Sequence, residues 1–169
     1  MRPQPSDYAP FFEKYVCLVP DGDIVELLVQ AKADVTTLLQ FLPPDKWDYR
    51  YAEGKWSIRE LILHMIDTER IFSYRALRIA RNDQTPLSGF EQDEYVPFSN
   101  ANNRSWESLI QEYVAVREAS IQLFKNFTPE MWQHTGTASS RNISVLALAF
   151  LTVGHEQHHL NVLKDKYLS

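Results

Sequence analysis

Three of the chain's five histidines crowd into the run His155-Glu156-Gln157-His158-His159. Imidazole is the commonest side-chain ligand for transition metals, and two residues four apart project from one face of a helix. His155 and His159 have that spacing, while His158 is turned away by about 100°. A third candidate, His64, lies in a second helical stretch on a stripe with Leu61, Met65, Thr68 and Phe72. His64 sits about two turns after its helix begins, and the pair sits two to three turns before its own helix ends. If the two helices run antiparallel, the three imidazoles share one level of the core. Three protein ligands with open positions for water or substrate are the usual arrangement of a catalytic zinc site. Imidazole also suits nickel, iron and copper, so the pattern does not select the metal. A lone histidine on an apolar face is more often a hydrogen-bonded core residue. The i, i+4 pair and the third ring at matching depth carry the reading beyond that.

The same run also spells H-E-x-x-H, in which two histidines bind zinc and the glutamate is the general base of a protease. That reading needs a third ligand downstream. Asp165 is the candidate, but Val162 stands where the chain would have to turn, so the helix should continue and carry Asp165 away. No obvious edge strand is available to hold an extended peptide. The histidine triad with His64 is the stronger expectation, and Glu156 is expected to point to one side of it.

Four helices must place these residues, and the apolar periodicity predicts them near 23–42, 58–80, 106–127 and 143–167. Pro43 and Pro44 stop the first. Ser57 and Glu60 form a capping box for the second, with Trp56 and Leu61 at the staple positions. Pro129 stops the third, and Asn142 is the expected N-cap of the fourth. Pro44-Asp45-Lys46-Trp47 is echoed by Pro129-Glu130-Met131-Trp132, which suggests two helical hairpins. The long Pro-, Gly- and Asn-rich connection 81–103 could cross the length of the bundle, making the second and third helices parallel and the second and fourth antiparallel. The expected fold is thus all-α: one four-helix bundle domain spanning 1–169, running up-down-down-up, with residues 1–22 as an N-terminal extension.

Composition narrows the function classes. A length of 169 residues with 44% hydrophobic and 23% charged content suits one soluble domain with a sizeable core. The net charge of −5 argues against nucleic acid as the main partner. No apolar run approaches the roughly 20 residues of a membrane span, and the polar start of the chain lacks a signal-peptide core. A single cysteine, Cys17, excludes an internal disulfide framework and fits a reducing cytoplasm. It has no neighbouring base and reads as structural. A homodimer is compatible with all of this.

Several further residues bear on the site. Asp67, one turn after His64, and Glu156 could each orient an imidazole through its second ring nitrogen. Arg75, three turns beyond His64, could hold an anionic substrate group through its planar fork.

The chain resembles the DinB-like family of four-helix-bundle metalloproteins. The resemblance rests on Gly54-Lys55-Trp56-Ser57-Ile58-Arg59-Glu60 leading to His64, then Asp67 and Glu69. It rests also on residues 74–83, from Tyr74-Arg75-Ala76-Leu77 to Asn82-Asp83, and on Gly154-His155-Glu156-Gln157-His158-His159. It implies one histidine ligand from the second helix and two from the fourth, which carry over to His64, His155 and His159. It implies a divalent ion, zinc or nickel before iron or manganese. The family includes transferases that use low-molecular-weight thiols and a mycothiol-dependent isomerase, so a small thiol and a small-molecule substrate are the implied partners. Three functions stay open: a metal-dependent thiol transferase, a metal-dependent hydrolase using water, and a non-enzymatic metal-binding protein.

Overall fold

The structure is a computed structural model and describes residues 1–168. After the short helix α1 (Glu13–Val16) come α2 (Ile24–Gln40), α3 (Ile58–Ala80) and the one-turn α4 (Gln92–Tyr95). The chain continues through α5 (Trp106–Phe124), α6 (Pro129–Gln133), the hairpin β1 (Thr135–Ala138) and β2 (Arg141–Ser144), and α7 (Val145–Val162). A π-helical extension, Leu163–Tyr167, prolongs α7.

Helices α2, α3, α5 and α7 form the four-helix bundle, and cross-helix contacts give their directions. Lys32 pairs with Glu118, while Trp106 Nε1 donates to the Leu39 carbonyl, so α2 and α5 are antiparallel. Arg59 donates to the Arg104 carbonyl and Ser73 meets Ser120, so α3 and α5 are parallel. Phe72 faces His155 and His64 faces His159, so α3 and α7 are antiparallel. The crossover between α3 and α5 makes the parallel pair possible, and it is pinned at both ends. Leu87 bridges to Ala138 at the edge of the hairpin. Asn102 donates to Glu60, the same carboxylate that closes the capping box on the Ser57 backbone.

Asp23 caps α2 through the Val25 and Glu26 amides, and α3 begins and ends where the periodicity predicts. The fourth helix differs. Asn142 lies in β2, and the cap is Ser144, whose hydroxyl accepts from the Ala147 amide. The hairpin turn has positive φ at both Ser139 and Ser140. That geometry belongs to type I′ turns, whose usual sequence signal is Asn-Gly rather than Ser-Ser. Gly136 lets β1 lie against α3, because a Cβ there would stand 2.8 Å from Ile79 Cγ1.

Every residue of α7 from Val145 to Glu156 is buried, as expected of a helix that is apolar around most of its circumference. Part of its cover is the N-terminal segment, which contributes Tyr8, Val16 and Val19 to the core. Gly154 allows this contact, since a Cβ on it would lie 2.2 Å from the Tyr15 carbonyl oxygen.

The apolar core is in two parts. On α3 one part ends at Ile66 and the other begins at Phe72; on α7 the break falls between Val153 and Leu160. The buried polar residues Thr68, Glu69, Arg117, Ser120, His155 and Glu156 fill the interval. The bundle therefore has a polar waist, and the candidate site belongs to it.

Candidate metal centre

His64 comes from α3, and His155 and His159 from successive turns of α7. His64 Nε2 lies 3.1 Å from His155 Nε2, and His159 Nε2 lies 3.0 Å from the same atom. One nitrogen from each ring thus converges on a common point, all within 4.8 Å of one another. Three nitrogens bound to one tetrahedral zinc ion stand roughly 3.3 Å apart, close to this arrangement.

The protonation states suit a cation. Burial pulls His64 down to about 4. Burial, followed by repulsion from His64, pulls His159 down to about 3. His155 is pushed well below its ordinary value by burial and then by His159 and His64. All three rings are neutral near pH 7, the form that ligates metals. His159 Nδ1 is buried without a hydrogen-bond partner among the described residues. A neutral ring with its proton on Nδ1 turns the Nε2 lone pair inward, and a shared metal ion would accept that pair. The donor set fits a divalent transition ion.

Aromatic rings pack around the triad. Trp56 lies 4.7 Å from the His64 ring, and the edges of Tyr15 and Phe72 meet His155. His159 is half-buried and opens onto a cleft of about 790 Å³ shared with His158, Trp56, Lys55, Arg50 and Tyr167.

The remaining expected residues are placed as follows. His158 packs against Tyr15 and is not one of the converging histidines. His134 is elsewhere, with Nδ1 beside the Ala80 carbonyl. Asp67 shares a small pocket with His64, but its hydrogen bond is a 3.5 Å contact from Arg70, not from the imidazole. Glu156, expected to orient an imidazole, is instead bound by Tyr113 Oη and by the Arg117 guanidinium. One residue along a helix is enough rotation to take its carboxylate out of the metal site. Arg75 is buried but faces the crossover and the hairpin turn, donating to the Ser88 carbonyl and Ser139 Oγ. Asp165 is exposed and outside the histidine group, and so is Cys17.

Two parts of the site escape the sequence reading. Tyr15 comes from the N-terminal segment, and nothing local to residues 1–22 shows that they reach α7. The other part is Arg117, which is fully buried and donates to both Glu69 and Glu156. A signal for it existed. Arg117 falls at helical spacing on the buried stripe Leu109, Tyr113, Ile121 and Phe124, where a charge requires partners.

Comparison with known proteins agrees with this architecture. A protein of Oceanobacillus iheyensis, provisionally named a metal-dependent hydrolase, is 26% identical over 147 residues, covering 84% of each chain. The fold is similar to that of YfiT from Bacillus subtilis, a four-helix bundle provisionally described as a metal-dependent hydrolase. That likeness has a TM-score of 0.76 at 14% identity, over 98% of this chain and 90% of the other. It is also similar to a mycothiol-dependent maleylpyruvate isomerase, with a TM-score of 0.66 and 13% identity over 90% of this chain and 62% of the isomerase. A DinB-like protein of Bacillus subtilis, YjoA, superimposes with a TM-score of 0.60 at 20% identity, over 85% of this chain and 87% of the other. The DinB superfamily model matches residues 27–163, which takes in α2 from Leu27 onward, the whole of α3 and α5, α7, and all three converging histidines, and the chain belongs to that superfamily.

Proposed function

We propose that the chain is a divalent-metal-dependent enzyme in which His64, His155 and His159 hold the ion, and that it transfers a low-molecular-weight thiol to a small electrophile. The observation that carries this reading is the convergence of three neutral imidazoles, one of them, His159, lining an open cleft, with no cysteine or serine among the residues that line it. When bound, zinc or nickel supplies a Lewis acid that lowers the pKa of a thiol or water brought to it. The chain's own residues do the rest. The three imidazoles stay unprotonated because they are buried. Trp56, Phe72 and Tyr15 keep water from their far sides. Lys55 offers a positive charge in the cleft, beside the Arg50–Glu60 ion pair and Asp93. The thiol proton leaves to solvent through the cleft, sulfur bonds to the electrophilic carbon, and the leaving group departs with the bonding pair.

The position of Glu156 disfavours the protease reading. A zincin glutamate must face the attacking water, whereas this carboxylate is held by Arg117 and Tyr113. A second reading, hydrolysis with water in place of the thiol, is supported by the names given to the Oceanobacillus and YfiT relatives.

The test begins with metal analysis of protein purified without a nickel column. Metal-loaded protein is then assayed with chlorodinitrobenzene, with and without several biological thiols, beside ester, amide and casein substrates. Thiol-dependent, His155-dependent conjugation is expected. Thiol-independent ester or amide hydrolysis would replace the transferase by the hydrolase, and His155-dependent casein cleavage would restore the protease.

A further inference from the structure

A second cavity, of about 390 Å³, lies between the C-terminal half of α3 and the start of the crossover, lined by Tyr74, Arg75, Arg78, Ser88, Gly89 and Phe90. Arg75 is only 4% exposed, yet no carboxylate among the described residues forms an ion pair with it. Burying a charge without a counter-charge is costly. The chain handles its other deeply buried arginine differently, giving Arg117 two glutamates. Arg78, at the rim of the same cavity, is already committed to Asp83 and Tyr74.

The partners Arg75 does have are neutral. Its Nη2 donates to the Ser88 carbonyl at 2.8 Å and to Ser139 Oγ at 3.1 Å. Those two bonds tie the crossover to the hairpin turn, and Nη2 alone makes them. The donors on Nε and Nη1 have no acceptor among the described residues, and neither atom is among the sealed, unsatisfied ones. Phe90 flanks the guanidinium, with its ring centre 6.0 Å away. Gly89 keeps the wall thin, since a Cβ there would press within 3.3 Å of Ser139 Oγ.

We infer that this cavity is an anion-binding site, separate from the histidine cluster, in which the uncompensated charge of Arg75 and one of its free donors, Nε–H or Nη1–H, take one carboxylate or phosphate group of a small molecule. Nη2 is occupied by Ser88 and Ser139, so the attraction comes from the charge and a single charge-assisted hydrogen bond, which either group can accept. The cavity is of ligand size rather than polymer size.

The test titrates the chelated, metal-free chain with inorganic phosphate and, separately, with succinate, at ionic strength held constant with sodium chloride. Its outcome therefore does not depend on the metal centre. Arginine Nε–H resonances are followed by 15N NMR, and the thermal midpoint is followed in parallel. A saturable shift of the Arg75 resonance is expected with at least one probe, phosphate marking a phosphate site and succinate a carboxylate site. The R75K variant keeps the charge but places it on a different side chain and loses the Nε and Nη1 donors, and should bind at least about tenfold more weakly. The R75Q variant should lose the probe-dependent rise in midpoint. Should R75Q not fold, the wild-type resonance and R75K decide the matter. No saturable shift with either probe up to tens of millimolar, or equal binding by wild type and R75K, would overturn the site.

Discussion

Two polar clusters share the waist of the bundle; α3 and α7 contribute to both, and α5 adds Tyr113 and Arg117 to the second. His64 and Glu69 lie on α3, while His155, Glu156 and His159 lie on α7. In one cluster three neutral imidazoles face each other and end at an open cleft. In the other, Glu69 and Glu156 enclose Arg117, and Tyr113 donates to Glu156 at 2.9 Å. Burial opposes the charge on Arg117, but the Glu156 and Glu69 carboxylates overcome it and hold the guanidinium well above its ordinary range. Burial pushes Glu156 up and Arg117 pulls it back. The carboxylate cluster thus carries its own cation, whereas in the proposed function the histidine cluster takes one from solution. The first is built for structure and the second for exchange with the outside. Breaking a buried ion network by removing its cation costs more than losing one neutral member of a polar cluster.

The largest expected effect tests the open cluster. H155A should bring bound zinc from near one ion per chain to essentially none by metal analysis, while H134A leaves it unchanged. A fully loaded H155A would end the assignment.

R117A should do the reverse. Removing the cation leaves two buried carboxylates facing each other, and breaking such a network costs about 3–5 kcal/mol. Chemical denaturation of metal-free protein should show that loss, whereas H155A, which leaves a cavity but no unpaired charge, should lose clearly less in the same measurement. Equal losses in the two variants would erase the distinction between the clusters.

Acid should separate the clusters further. An unfolded histidine titrates near 6.5, while folded His64 waits until about 4. Between those values the unfolded chain binds protons that the native chain refuses, so stability is full above pH 6.5 and falls as pH is lowered. His64 alone contributes a loss on the order of 3 kcal/mol by pH 4. The raised Glu156 carboxyl works in the opposite direction, because the folded state then binds the extra proton. The informative quantity is therefore the difference between metal-free wild type and H64F, followed by denaturation across this range. A difference that does not change with pH would remove the case for buried neutral imidazoles.

The smallest effect concerns the N-terminal wall. G154A places a methyl group against the Tyr15 carbonyl and must move one of the two backbones. A loss of about 1–3 kcal/mol is expected, together with faster amide exchange in residues 13–17. Unchanged exchange there would show that the contact is not maintained in solution.

Local signals in the sequence determined much of this molecule. Ser57 and Glu60 fixed the start of α3 because a capping box needs only residues three apart. The i, i+4 spacing placed His155 and His159 on one face of α7, and the long crossover allowed α3 and α5 to run parallel, which brings His64 to their level. Other features depended on contacts between distant residues. The hairpin β1–β2 was hidden because its turn is Ser-Ser and its strands are short; Leu87 and Ile79, from other elements, hold it in place. The role of Glu156 could not be read beside His155, because it depends on Arg117 arriving from α5. Tyr15 joins the site only because Gly154 leaves room for its backbone. Spacing along a helix is local geometry, so the sequence alone could nominate the three histidines that converge. Which buried charge meets which partner is set by how helices far apart in the chain pack, and only the tertiary structure decides that.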